Sequence, residues 1–254
     1  MKIGGIIDIS TKDIPNRASM IIFTVGCNFN CKFCHNKHLL QPNVGKIFEV
    51  RELIEKVETN LLVSGVSITG GEPSLQVDLL ELCKEIKKLG KYLSIDTNGS
   101  DPEVIKELLP YIDRVALDVK APFDKEKIEK VTKVKIDPNK IIKTITLVNN
   151  QKNVEFEIRT TYVENLLTPL DIREIISFLK ENAFRGNYVL QQYQYSEGVG
   201  TEFKDMFKKP EHGTLLNILK FYKDANLPFN LFIRDDIIGY SDVFNLFEFK
   251  IDDV

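Results

Sequence analysis

Short apolar runs recur along this chain, each ending near glycine or acidic residues and most followed by a segment of helical pattern. That alternation limits the fold more than any other feature. The run 19–25 (SMIIFTV) is β-branched, apolar and closed by Gly26, which is the pattern of a buried strand. After it, 49–60 sets Val50, Leu53, Ile54 and Val57 at i, i+3, i+4 and i+7, the stripe of an amphipathic helix. The strand pattern returns at 63–69, 92–96, 114–119, 154–163 and 188–195. Helices are expected at 75–89, from Asp101-Pro102-Glu103 onward, within 124–150 with a break at Asp137-Pro138, at 169–182 and at 213–226. A last apolar run covers 229–233. Residues 1–18, with Gly4-Gly5 and Pro15-Asn16, read as an extended lead-in or small hairpin.

Six strands alternating with helices predict an α/β fold with a mainly parallel sheet and helices outside. A chain of 254 residues can bury one barrel-sized core or two small ones. Without repeats or linkers, a single domain over 1–254 is the expectation, with its core at about 13–235. Residues 236–254 form an extension of unassigned role, in which Phe244, Phe247 and Phe249 alternate unlike a disordered tail. Sheets of this kind carry their active sites at the C-terminal strand ends. The polar motifs fall there: Cys27, Gly70-Gly71-Glu72, Asp96-Thr97-Asn98-Gly99 and Asp118-Val119-Lys120.

Three of four cysteines, Cys27, Cys31 and Cys34, share the stretch Gly26-Cys27-Asn28-Phe29-Asn30-Cys31-Lys32-Phe33-Cys34-His35-Asn36. Thiolates suit zinc, copper(I) or iron–sulfur clusters, and such spacing lets one loop wrap one centre. Structural zinc and electron-transfer clusters normally take four protein ligands, whereas the local count here is three. Three thiolates on a four-iron cluster leave one iron for a substrate. Zinc with His35 or His38 as fourth ligand, or unligated thiols, are the alternatives. Cys83 sits on the apolar stripe of a helix and reads as a core residue.

The C-x3-C-x2-C loop resembles the cluster loop of the radical S-adenosylmethionine (SAM) enzymes, and Cys34-His35-Asn36 resembles their glycyl-radical-activating branch. Thr69-Gly70-Gly71-Glu72-Pro73 is similar to that family's second signature. The resemblance implies a partial (β/α)6 TIM-like barrel. It also implies a [4Fe–4S] cluster on Cys27, Cys31 and Cys34, with SAM on the open iron. Gly70, Gly71 and Glu72 would hold the SAM amino group, and Asp96, Thr97 and Asn98 would lie near SAM. Lys120 could pair with its carboxylate, and Phe33 and His35 could pack on its adenine. The oxygens of Asp96, Thr97 and Asp118 could hold a small cation or ribose hydroxyls. Arg159, if inward, would need an anion; outward, it would face the helices. Gln191, Gln192 and Gln194 stand where relatives often have a histidine near the ribose. Asp13-Ile14-Pro15-Asn16-Arg17 resembles the D-G-P-G-x-R of formate-lyase activators only loosely, and sits closer to the activators associated with anaerobic ribonucleotide reductase.

The expectation is a cytoplasmic radical enzyme that cleaves SAM reductively and takes a hydrogen from glycine in a partner such as an anaerobic ribonucleotide reductase. A one-electron donor such as a ferredoxin or flavodoxin would supply the electron. The rivals are radical chemistry on a small deazapurine-type metabolite, and a non-catalytic metal-binding module. A net charge of −3 argues against a dedicated nucleic-acid or membrane-surface binder. No apolar run approaches the length of a membrane span, and the first residues lack a signal peptide's architecture. Only Cys83 remains after the loop, too few for an auxiliary cluster.

Overall fold

The computed structural model describes residues 1–41, 43–196, 199, 203 and 206–248. The chain opens with a hairpin, β1 (Lys2–Ile14) and β2 (Arg17–Thr24), turned at Pro15-Asn16, where Asn16 takes a φ of 57°. The short β3 (Lys46–Ile47) pairs with the start of β1. Next come α1 (Val50–Thr59), β4 (Gly65–Gly70), α2 (Leu79–Lys88), β5 (Tyr92–Thr97), α3 (Pro102–Leu108) and β6 (Arg114–Asp118). The lysine-rich region is two helices, α4 (Lys125–Thr132) and α5 (Pro138–Asn149). Asp137 caps the second, and proline at its first position needs no amide partner. The chain continues through β7 (Glu155–Tyr162), α6 (Pro169–Glu181), β8 (Asn187–Gln192), α7 (His212–Leu219), β9 (Asn230–Asp235), β10 (Gly239–Asp242) and α8 (Val243–Glu248).

All ten strands join one sheet in the order β10-β9-β8-β7-β6-β5-β4-β2-β1-β3. From β2 through β4 to β9 every neighbour is parallel, while β1, β3 and β10 run antiparallel at the two ends. The six expected strands are β2 and β4 to β8. The run at 229–233 adds a seventh parallel strand, β9, because its alternate residues Leu231 and Ile233 are fully buried. The expected extension also joins the fold. Tyr240 of β10 stacks on Phe232 of β9 with ring centroids 4.7 Å apart, and Phe244 and Phe247 pack against the core. Phe249 lies outside the described residues.

The helices cover the outer face. Leu79, Leu82, Cys83 and Ile86 of α2 are all buried, so Cys83 is the core residue its stripe predicts. The inner face turns polar from β5 to β9. Arg234 on β9 donates 2.7 Å to the carbonyl of Lys12 on β1, so that side chain joins the strands next to the two edges of the curved sheet. Among the described residues no helix is long and apolar enough to cross a membrane.

Candidate active site

β2 ends at Thr24, and Gly26 turns the chain with a φ of +94°, a value open chiefly to glycine. The cysteine loop beyond it is held from three sides. The Gly26 amide donates to Leu39 O at 2.8 Å. Lys37 reaches the carbonyls of Asn30 (3.4 Å) and Cys31 (3.2 Å) and the Asn30 side chain. The amides of Asn30 and Lys32 donate to Thr132 O and Val131 O, docking the loop on the end of α4. Phe29 and Phe33 bury their rings beneath it.

All four cysteines are free thiols; Cys31 is buried, and Cys27 and Cys34 are half-buried. Burial pushes the Cys27 thiol up to about 11 and the Cys31 thiol to about 12. Among the described residues no three His, Cys, Asp or Glu side chains converge on a point that could hold a single metal ion. His35 and His38 both lie at the surface.

The loop after β4 passes under the cysteine loop. Gly71 N donates to Thr24 O (2.9 Å) and Glu72 N to Gly26 O (2.8 Å). A Cβ on Gly71 would lie 1.9 Å from Gly26 O, so only glycine permits the approach. Asn36 ties back to Gly70 O at 3.3 Å. Glu72 is buried, and both its oxygens are engaged within the protein. One accepts from Thr97 Oγ1 (2.7 Å) and Ser74 N (3.1 Å), the other from Asn98 N (2.7 Å). Burial still raises its pKa, against those bonds. Glu72 therefore clamps the β4 and β5 loops together. Asn98 extends its amide to Asn28 Oδ1 (2.8 Å) and toward the Cys27 sulfur (4.0 Å).

Below the rim lies a charged layer. Arg159 points inward, its Nε 2.8 Å from Asp118 and its Nη1 3.1 Å from Asp96. Its anions are thus the chain's own carboxylates. Lys120 pairs with Asp118 at 2.9 Å and lies 5.8 Å from the Phe33 ring centroid. Arg114 bonds Glu157 (2.7 Å) and Ser94 (2.8 Å), and Tyr240 donates to Glu157 at 3.0 Å. Three acids face three bases, so the layer is neutral without an added ion.

The small cation expected near Asp96, Thr97 and Asp118 meets a different arrangement. The Arg159 guanidinium stands between the two aspartates, and the Thr97 hydroxyl is committed to Glu72. Burial acts to raise the Asp118 carboxyl, but Arg159 and Lys120 hold it well below the usual carboxylate range. For Asp96 burial prevails and its pKa rises; its Oδ1 is buried without a hydrogen-bond donor among the described residues.

Every candidate residue lines one cavity of about 1020 Å³: the three cysteines, Phe33, His35, Gly70, Gly71, Glu72, Asp96, Thr97, Asn98, Asp118, Lys120 and Arg159. Tyr193, unforeseen, packs its ring 6.4 Å from Phe33 and 5.7 Å from His35. Of the three glutamines, Gln191 and Gln194 line the cavity with Gln192, but Gln192 is committed to Pro210 O (2.7 Å) and Asp236 N (3.2 Å), and also accepts from Gln194. Asp13, Pro15 and Asn16 of the first hairpin close the far side. Arg114, Glu157 and Tyr240 also escaped the sequence reading. Strand period two carries the first pair, since Arg114 and Glu157 share a face with Asp118 and Arg159.

A family model described as the radical SAM superfamily matches residues 21–181. A protein of Methanocaldococcus jannaschii with the provisional name glycyl-radical enzyme activating enzyme is 39% identical over 232 residues, covering 87% of this chain and 93% of its own. A protein of Saccharolobus islandicus named probable GTP 3′,8-cyclase is 26% identical over 266 residues, covering 88% of this chain and 85% of its own. Among solved structures, Streptococcus suis SuiB bound to S-adenosylmethionine superposes with a TM-score of 0.66 at 18% identity, covering 85% of this chain; the chain spans 50% of that structure. The match to the family model covers more than half of the 254 residues, and the identity to the first relative runs nearly end to end. On both counts the chain belongs to the radical SAM superfamily of enzymes.

Proposed function

We propose that residues 1–254 act as one catalytic unit that generates a glycyl radical on a partner enzyme, using a [4Fe–4S] cluster, SAM and an external one-electron donor such as a ferredoxin or flavodoxin. The observation that carries this reading is the 39% identity along 93% of a relative provisionally named as such an activator. Cys34-His35-Asn36 supports it.

The residues fit the groups. Cys27, Cys31 and Cys34 would hold three irons, on a loop pinned by Lys37 and α4. When bound, cluster and SAM together supply an electron and a carbon-centred radical that removes a hydrogen atom. The chain's part is to bind and orient. The backbone at Gly70-Gly71 offers polar groups at close range to the SAM amino end. Lys120 keeps protons to give after bonding Asp118. Although burial acts to lower it, the Asp118 carboxylate raises its pKa, so it stays a cation for a carboxylate. Asp96 lines the cavity with its buried Oδ1 turned to Arg114 at 3.9 Å and its Oδ2 bonded to Arg159, and would lie near the SAM ribose. Phe33 and His35 line the cavity as an aromatic wall for the adenine, backed by the buried Tyr193.

The likeness to a probable GTP 3′,8-cyclase favours the rival, a small anionic metabolite. The far wall of the cavity argues against a polyanion. It carries Lys12 and Arg234 beside Asp13, too few cations for a triphosphate, while Asp235 and Asp236 are bonded to His212 and Lys209. The test is to mix the reduced, cluster-loaded protein with SAM and an anaerobic ribonucleotide reductase, then record electron paramagnetic resonance. A glycine-centred signal on the partner supports the reading. No such signal from any glycyl-radical enzyme, with turnover of a purine-type metabolite, replaces it with the rival.

A further inference from the structure

We infer that Thr161, Gln191 and Arg234 form the rung on which the substrate segment is held, and that this segment is an extended peptide bound through its backbone. The inference deepens the proposed function and rests on it.

The three residues sit side by side on β7, β8 and β9: Thr161 pairs in register with Gln191, and Gln191 with Arg234. Parallel neighbours in register point to the same face, and all three line the cavity that also holds the cysteine loop. The wall nearest the cysteines is already committed, with Glu72, Asp118, Arg159 and Glu157 bonded to the chain's own groups. The rung differs. Among the described residues the Thr161 and Gln191 side chains have no hydrogen-bond partner. Among the described residues Arg234 has no carboxylate partner and donates only to Lys12 O.

The chemistry selects the occupant. A hydroxyl and a carboxamide each donate and accept, as a peptide's alternating N–H and C=O groups require. The guanidinium adds donors for a carbonyl. Strands lie about 4.8 Å apart, so three neighbours span roughly 10 Å, the length of about three extended residues at 3.3 Å each. A nucleoside triphosphate would need several unpaired cations, and this part of the cavity offers Arg234 and Lys12, with Asp13 beside Lys12. A glycine crossing this rung would lie in the same cavity that Cys27, Cys31 and Cys34 line.

The test uses the cluster-loaded enzyme with SAM and a labelled ten-residue peptide centred on the radical glycine of an anaerobic ribonucleotide reductase. Anisotropy gives peptide affinity, and the glycyl signal gives kcat and KM. Arg234→Gln and Gln191→Glu should weaken peptide affinity about ten- to a hundredfold through KM, with kcat changed less than about threefold. Arg234→Lys should recover part of the loss, which tells contact from misfolding. Lys223→Gln, on the exposed surface, should match the parent. If the parent binds peptide and the rung variants bind equally well, the rung is wrong while the function stands. If the parent neither binds peptide nor yields the signal, both readings fall. If Arg234→Gln weakens GTP but not peptide, the occupant is a nucleotide and the inference is overturned.

Discussion

Gly71→Ala should uncouple the cysteine loop from the sheet. The added Cβ would meet Gly26 O at 1.9 Å and Gly26 C at 2.7 Å, both backbone atoms that no rotamer change can move. Restoring an ordinary 3.4 Å contact needs a shift of 3.4 − 1.9 = 1.5 Å. That would stretch the 2.8 Å bond from Glu72 N to Gly26 O beyond hydrogen-bonding range. A buried amide left unpaired costs about 1–3 kcal/mol, and overpacking costs a similar amount. The sum is about 2–6 kcal/mol, which for a chain of this size lowers Tm by roughly 4–24 °C. Scanning calorimetry reads the loss, and iron content with SAM affinity should fall alongside it. Gly213→Ala is the control: it lies in α7 with nothing within 4 Å of its Cβ, so helix propensity should raise stability by up to about 1 kcal/mol. A Gly71→Ala protein within about 1 °C of the parent, with normal iron, would refute the claim that the Gly26–Gly71 contact positions the loop.

Cys27→Ala, Cys31→Ala and Cys34→Ala should each lose the cluster on reconstitution while Cys83→Ala keeps it; iron and sulfide analysis decides. Arg159→Met would strand Asp96 and Asp118, and should cost about 3–5 kcal/mol in urea unfolding, with weaker SAM binding. Because Arg159 already occupies the space between those aspartates, replacing sodium by potassium or by a bulky organic cation should leave SAM affinity within about twofold. Asp118 should be stabilising above the ordinary carboxylate range of about 3.9, and its contribution should fade only as pH falls through its lowered folded-state value. Asp118→Asn should therefore flatten the acid limb of a stability–pH curve.

The strands and the thiol loop were legible because each buried run ended at a glycine or acid, and parallel sheets collect such ends on one rim. The direction of Arg159 was not. EFEIRTTY alternates polar and apolar, but in a strand buried on both faces that alternation does not say which face is the inner one. Arg114 and Glu157 hid for the same reason, although counting by twos from Asp118 and Arg159 reaches both. Glu72 lay in a recognisable motif, but its partners Thr97 and Asn98 are 25 and 26 residues on, and only the fold brings them together. β9 and β10 needed each other: four residues of β10 make no strand pattern until Tyr240 meets Phe232 and Glu157.

The docking of the cysteine loop on α4 also sets a clock. Asn30 waits for Thr132, 132 − 30 = 102 residues later in the chain. At a synthesis rate of about 5–20 residues per second, that interval is roughly 5–20 s. For all but its first four residues the three thiols are already made, yet two of the backbone bonds that shape their loop do not exist. A nascent chain is therefore exposed to oxidation or to capture of a stray metal before its own scaffold arrives. Iron–sulfur assembly on this protein should come after completion of α4, and chains halted before residue 132 should acquire no cluster.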